Sequence, residues 1–326
     1  MAKLNMVQAK NLALHEKMKH DDDVVVLGED VGVDEGVFRV TAGLLNEYGE
    51  KRVIDTPLAE SGIIGTSIGM ALGGMKPVCE MQFSGFSYLI MHQLEGHASR
   101  MRQRSLGAWN VPLVVRMPYG GGIRAMEHHS ESREAFYAHI PGIKTVIPSS
   151  PRNARALLIS AIEDPDPVIF MEPKRSYRAF REEVPDEMER MEIGKAQIVR
   201  KGSDITVISW GAMMRPVIKA VEESEKELNA KIELIDMLTV SPLDDAAIVE
   251  SVRKTGRVVV VQEAPKNVSI SSEIVARIND KALLYLEAPV KRVTNYDVVT
   301  PYFSREMDFM PSPGRIKRAI KETIEF

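Results

Sequence analysis

Val24-Val25-Val26-Leu27-Gly28-Glu29-Asp30 reads as a buried strand that stops on a glycine and two acids. A short run of β-branched residues without polar alternation is the pattern of a parallel strand covered on both faces. On its amino side, residues 6–19 have helical spacing. On its carboxyl side comes a glycine-rich helix from residue 60 to about 74, then a strand over 77–81 and a long helix over about 88–104. A strand over 112–117, a short helix near 131–139, a strand near 144–147, a helix over 151–163 and a strand over 168–171 complete this half. Apolar runs alternating with helices of three or four turns predict a mostly parallel sheet with helices on both faces.

Residues 179–201 are dense in charge, contain Pro185 and read as a linker with some short strand pairing. Beyond them the alternation restarts with strands over 205–209, 232–236 and 257–262 and helices over 215–228, 244–254 and 271–278. The expected organisation is α/β with two domains: residues 1–180, a linker over 181–201, and a smaller α/β domain over 202–326. No tandem repeat and no low-complexity tract interrupts it.

The 326 residues suffice for two cores, and an apolar share of 44% with a charged share of 27% is that of a soluble globular protein. A formal charge of -4 gives no basic excess, so neither nucleic acid nor an anionic membrane is an expected partner. One cysteine, Cys79, excludes a disulfide within the chain and fits a reducing compartment. The start, Met1-Ala2-Lys3-Leu4-Asn5-Met6, lacks the apolar run of a signal peptide, and no stretch approaches the ~20 apolar residues of a membrane span. The expected location is the cytoplasm.

Three segments carry the chemistry. The densest is Asp55-Thr56-Pro57-Leu58-Ala59-Glu60-Ser61-Gly62-Ile63-Ile64-Gly65, which places Glu60 in the first turn of a helix, where the dipole favours negative charge. An isolated acid there is ordinarily a helix-start carboxylate. Here Gly62, Gly65, Gly69 and Gly73 follow it, each weakening the helix by ~1 kcal/mol relative to alanine, which calls for a close neighbour on the face shared by Gly65 and Gly69. The second segment, Glu80-Met81-Gln82-Phe83-Ser84-Gly85-Phe86, lies at the carboxyl end of a strand, where open α/β sheets bind ligands. Gln82 and Phe86 can hydrogen-bond and stack on a planar ring there, or form a buried aromatic and a turn glutamine.

The third segment, from Gly120-Gly121-Gly122 to His128-His129-Ser130-Glu131, reads as a mobile glycine loop closed by two histidines. Its histidines lack the companions of a zinc site, and His92 and His97, five apart on the expected long helix, diverge. No GxGxxG fingerprint, P-loop or G-x-S-x-G elbow is present, nor a Gly-Asp-Gly motif with a downstream Asn to hold magnesium and a diphosphate.

Together these segments resemble the β subunits of pyruvate, branched-chain and acetoin dehydrogenase complexes, of transketolase-like fold. The likeness runs through Leu27 to Gly32, Gly36-Val37-Phe38-Arg39, the Asp55 to Gly65 stretch, Pro77 to Phe83 and Pro148-Ser149-Ser150-Pro151. It extends to Lys254-Thr255-Gly256-Arg257 and Glu287-Ala288-Pro289-Val290, and so spans nearly the whole chain. It implies an α2β2 heterotetramer that oxidatively decarboxylates a 2-oxo acid and passes the acyl group to lipoamide on a dihydrolipoyl acyltransferase. The first domain then holds the pyrimidine half of thiamine diphosphate, and a partner α subunit holds magnesium and the diphosphate, which accounts for the missing motif.

By the same resemblance Glu60 hydrogen-bonds the pyrimidine, and Leu58, Gln82 and Phe86 line its pocket. His129 serves acyl transfer beside the substrate, although the family's usual His-Ser-Gln is His129-Ser130-Glu131 here. Glu29 matches an acid between active sites and also reads as a plain strand-end carboxylate. Leu113, Ala161, Ile162, Asp164 and Asp166 match a potassium-binding loop, which also reads as a proline-fixed turn. The C-terminal region matches a docking site for the acyltransferase's peripheral-subunit-binding domain, or an ordinary terminal helix. An acetoin dehydrogenase and a non-catalytic structural subunit are the rival readings.

Overall fold

The computed structural model describes residues 1–326, in two compact units: residues 1–119 with 136–193, and residues 120–135 with 194–326.

The first unit is built on parallel strands in the spatial order Lys144–Val146, Val168–Pro173, Val114–Tyr119, Lys76–Glu80, Val24–Gly28 and Val53–Asp55. Val24, Val25, Val26 and Leu27 are at most 3% exposed, as expected of a strand covered on both faces. Helix Met6–His20 starts at a capping box in which Asn5 accepts from the Gln8 amide and the Gln8 side chain accepts from Asn5. Helix Pro151–Glu163 begins with Ser150 as cap and proline in its first turn, where no amide donor is needed. The two helices pack together, and Arg155, 1% exposed, reaches Glu16 at 2.9 Å. A strand from the charged segment, Glu182–Val184, pairs antiparallel with Ala2–Leu4.

The long helix expected over residues 88–104 is not continuous. It is divided into a 3-10 stretch Ser84–Ile90, helix Met91–Gly96, a 3-10 turn Ala98–Arg100 and helix Met101–Arg104. The break falls at His97, whose φ of -127° and ψ of -67° leave the helical region just after Gly96. Ile90, Leu94 and Ala98 nevertheless stay buried at four-residue spacing, so the apolar pattern resembles one helix across the break. The break also overturns the expected divergence of His92 and His97: their rings meet edge to face at 5.2 Å.

In the second unit, strands Lys291–Val293, Val258–Val261, Ile205–Ser209 and Ile232–Asp236 are parallel neighbours, with Gln197–Arg200 antiparallel at the edge. Helices Met214–Leu228 and Pro313–Ile324 cover one face. Val207, Leu234 and Val259 of the sheet and Val217, Ile316 and Ile320 of the helices are fully or almost fully buried, each stabilising the fold by roughly 1.5–3 kcal/mol. The terminal helix therefore belongs to this core; Ser312 caps it and Pro313 opens it. Helix Asp245–Thr255 stops at Gly256, which is left-handed at φ 65°. No helix of the protein is long and apolar enough to cross a membrane.

Candidate functional site

In the first unit the sheet order determines where a ligand can sit. Strand Val24–Gly28 lies between Val53–Asp55 and Lys76–Glu80. The chain leaves it toward one side and returns to the other, so a crevice opens at the carboxyl ends of these three strands. Glu29 follows the central strand, Thr56 to Glu60 follow one neighbour, and Gln82 to Phe86 follow the other. All five expected pocket residues thus follow three adjacent strand ends, with Leu58 and Glu60 in the same segment.

Glu60 starts helix Glu60–Leu72 and is 5% exposed, without a cationic partner in the chain. Glu29, half-buried, is pushed above the usual carboxylate range by burial first and then by the charge of Glu60 and Asp30. Two acids this near one another favour a bound hydrogen-bond donor between them. Gln82 donates to Asp30 Oδ2 at 2.9 Å, which fixes its amide at the rim. Phe86 stands edge to face with Phe83 at 6.1 Å; Phe83 in turn meets Phe38, and Phe38 meets Tyr177. Leu58 is 77% exposed, and the Thr56 hydroxyl is buried with no partner. Apolar rings, an unpaired buried carboxylate and an orphaned hydroxyl fit a flat polar ring. The glycines of helix Glu60–Leu72 meet little within the chain: a methyl group at Gly65 would touch the Gln93 side chain at 3.7 Å, and one at Gly69 would touch nothing.

Asp55 holds the loop behind this crevice. Its two oxygens accept the amides of Gly32 at 2.6 Å and Val33 at 2.9 Å, and a Cβ at Gly32 would lie 2.9 Å from Asp55 Oδ2. Below the pocket lies a buried charge network that sequence reasoning missed. Arg116 donates to Glu80 at 2.7 Å and to Glu172 at 2.8 Å, and Glu172 also receives Lys10 and the Tyr177 hydroxyl. Burial pushes Glu172 up, but Arg116 and Lys10 more than offset it, leaving Glu172 below its ordinary value. At Glu80 burial, helped by the charge of Glu172, outweighs Arg116 and the weaker pull of Lys10, raising it. Burial pushes Lys10 down to about 8, although Glu172 opposes this. The available signal was an arginine inside the apolar run Val114-Val115-Arg116-Met117, on a strand with no solvent face.

In the second unit the loop after Tyr119 is pinned at its glycines, contrary to its reading as mobile. Gly121 donates to Glu263 at 2.5 Å, and Gly122 and Arg124 donate to the two oxygens of Glu306 at 2.8 and 2.9 Å. The glycines make room: a Cβ at Gly120, where φ is 83°, would lie 2.8 Å from Glu263 Oε1. The loop ends in the 3-10 turn Glu127–His129, with the His128 and His129 rings 4.1 Å apart and tilted by 50°. Glu131, in place of the expected glutamine, forms an ion pair with Arg133, and its carbonyl accepts the Gly120 amide at 3.1 Å. Glu134, 1% exposed, is pushed up to about 6 by burial, while the Gln262 amide and the Trp210 indole hold it back. Glu263, Glu306 and Glu134 carry no sequence signature; only the fold assembles them.

The expected cation loop is already charge-balanced. Lys144 reaches both oxygens of Asp164 at 2.7 and 2.6 Å, and Arg102 reaches Asp166 at 2.7 Å. The carbonyls of Ala161 and Leu113 accept the amides of Asp164 and Val168. Ile162 is buried beside them. No cluster of three His, Cys, Asp or Glu side chains able to hold a metal ion occurs.

Both halves of the chain match known families. The family described as "Transketolase, pyrimidine binding domain" matches residues 2–179, and "Transketolase, C-terminal domain" matches residues 194–316. The chain is 49% identical to the pyruvate dehydrogenase E1 component subunit beta of Bacillus subtilis strain 168, over 100% of both chains. It is 48% identical to that of Acholeplasma laidlawii, over 99% of this chain and 98% of that protein. It is 47% identical to that of Staphylococcus aureus strain Mu50, over 100% of both. A solved structure described as "Split gene transketolase, inactive beta4 tetramer" superposes with a TM-score of 0.81 at 20% identity, over 99% of each chain, and so shares the fold. With both halves matched and these full-length relatives at 47–49% identity, the chain belongs to the transketolase-like β subunits of 2-oxo acid dehydrogenase E1 components.

Proposed function

We propose that this chain is the pyrimidine-binding half of a divided thiamine diphosphate site, in an α2β2 enzyme that oxidatively decarboxylates a 2-oxo acid and hands the acyl group to lipoamide. Pyruvate is the substrate we favour, because the full-length relatives are pyruvate dehydrogenase subunits. The observation that carries the reading is Glu60: a buried carboxylate without a cation, beside the raised carboxyl of Glu29, at the carboxyl ends of the sheet. Thiamine diphosphate, when bound, supplies the nucleophilic carbon and the electron sink; the chain's task is to seat it and move protons.

Glu60 hydrogen-bonds the pyrimidine ring nitrogen, with Glu29 near enough to feel its charge. Phe86 and Leu58 cover the ring's faces, and Gln82, held by Asp30, orients its rim. His129 stands on the substrate side and serves acyl transfer. By the family resemblance, magnesium and the diphosphate belong to a partner α subunit. A dihydrolipoyl acyltransferase, through its peripheral-subunit-binding domain, is the acyl acceptor. At the loop of Leu113, Ala161, Ile162, Asp164 and Asp166, potassium would be held through main-chain carbonyls, because both carboxylates are already paired. An equal melting temperature in potassium and in choline buffer would remove that ion from the scheme.

The purified chain alone is expected to be inactive. With an α-type partner, thiamine diphosphate and magnesium it should reduce ferricyanide at the expense of pyruvate. In that complex Glu60→Gln should lower kcat by about 10²–10⁴-fold with assembly intact. Activity from this chain alone would refute the divided site, and unchanged turnover in the Glu60→Gln complex would make the chain a scaffold.

A further inference from the structure

We propose that Glu306 is a positioning residue, which accepts two amides of the loop over residues 120–131 and thereby sets where His128 and His129 stand. This rests on the reading above, in which that loop serves acyl transfer.

Glu306 opens the short helix Glu306–Phe309 and is 1% exposed, yet no lysine, arginine or histidine pairs with it. Both of its oxygens are instead engaged by main-chain donors, Gly122 and Arg124. Those amides are two residues apart, so a single carboxylate dictates the course of the chain between them. The constraint is needed, because φ is 83° at Gly120, 87° at Gly122 and 58° at Arg124. Three left-handed residues within five are a conformation that persists only where the surroundings impose it.

Gly121 is shaped to the same carboxylate: a Cβ there would lie 3.0 Å from Glu306 Oε1 and 3.4 Å from the Met310 sulfur. Glu263 adds a further hold on the Gly121 amide. An ionised carboxylate accepts at both oxygens, whereas an amide has one acceptor and would turn an NH2 toward a main-chain donor. Glu306→Gln is therefore close in shape yet breaks the arrangement.

The test uses the reconstituted α2β2 enzyme and measures hydrogen exchange of the peptide over residues 120–131, tryptic cleavage after Arg124, and kinetics of acyl transfer to lipoamide. Glu306→Gln should speed exchange and cleavage in this loop by about 10-fold or more without a comparable change elsewhere. It should lower kcat for transfer by about 10-fold while the KM for pyruvate stays within about twofold. Glu306→Asp, which keeps the charge but draws it back by one methylene, should loosen the same peptide to a smaller extent and covers the case in which Glu306→Gln fails to assemble. Unchanged exchange in this peptide for both variants would overturn the positioning role. A loosened loop with undiminished transfer would uphold that role and overturn the assignment of His129.

Discussion

The buried acids of the two units are held in opposite ways. In the first, Glu80 and Glu172 lie against Arg116, with Lys10 completing the group; charge meets charge with no access to water. In the second, Glu263 and Glu306 face main-chain amides, and Glu134 faces a neutral amide and an indole. Ion pairs of the first kind brace a sheet whose strands are fixed in any case. Carboxylates on amides do something different: they impose a backbone path on a loop that glycine would otherwise leave free. Asp55, on the amides of Gly32 and Val33, shows that the first unit also uses this device where a loop must be shaped.

If this contrast holds, removing a cation from the first unit should cost the most. Arg116→Met leaves Glu80 and Glu172 buried with one ammonium between them, and the chain should lose about 3–5 kcal/mol in urea unfolding. A loss below about 1 kcal/mol would show that Lys10 alone suffices.

The second unit should respond to pH instead. Burial raises Glu134 from 4.5 to about 6, so the folded state favours the protonated form. Its contribution to stability is complete below pH 4.5 and is lost as pH rises through 6. Glu134→Gln removes that loss, and should stabilise the chain above pH 6 by up to about 2 kcal/mol relative to its level at low pH. Melting temperatures at acid and neutral pH read this directly, and an equal gap between variant and parent at both would contradict it.

The smallest effect is expected at the mouth of the crevice. Leu58 is exposed, so Leu58→Ala should change the stability of the isolated chain by less than about 0.5 kcal/mol. In the reconstituted enzyme it should weaken thiamine diphosphate binding about fivefold by titration, near 1 kcal/mol of lost apolar contact. Unchanged affinity would place Leu58 outside the pocket.

Strand and helix periodicity made most of the architecture legible, because buried parallel strands announce themselves as unbroken β-branched runs. Val24 to Leu27 and Val258 to Val261 are of this kind. The helix expected over residues 151–163 begins there, with Ser150 as its cap. The break at His97 was not legible, since Ile90, Leu94 and Ala98 keep helical spacing through it. Glu29, Glu60, Gln82 and Phe86 were legible as a group because each follows a strand end or opens a helix, positions that sequence alone marks.

By itself, then, the sequence determined the two α/β halves and the run of residues around Glu60, since these depend on interactions between near neighbours along the chain. The tertiary structure alone decided that Arg116 binds Glu80 and Glu172, and that Glu263 and Glu306 take the amides of a distant glycine loop. Those contacts join residues 36 to 184 positions apart. No periodicity encodes them; they exist only once the strand order brings the partners together and burial makes an unpaired charge too costly to leave.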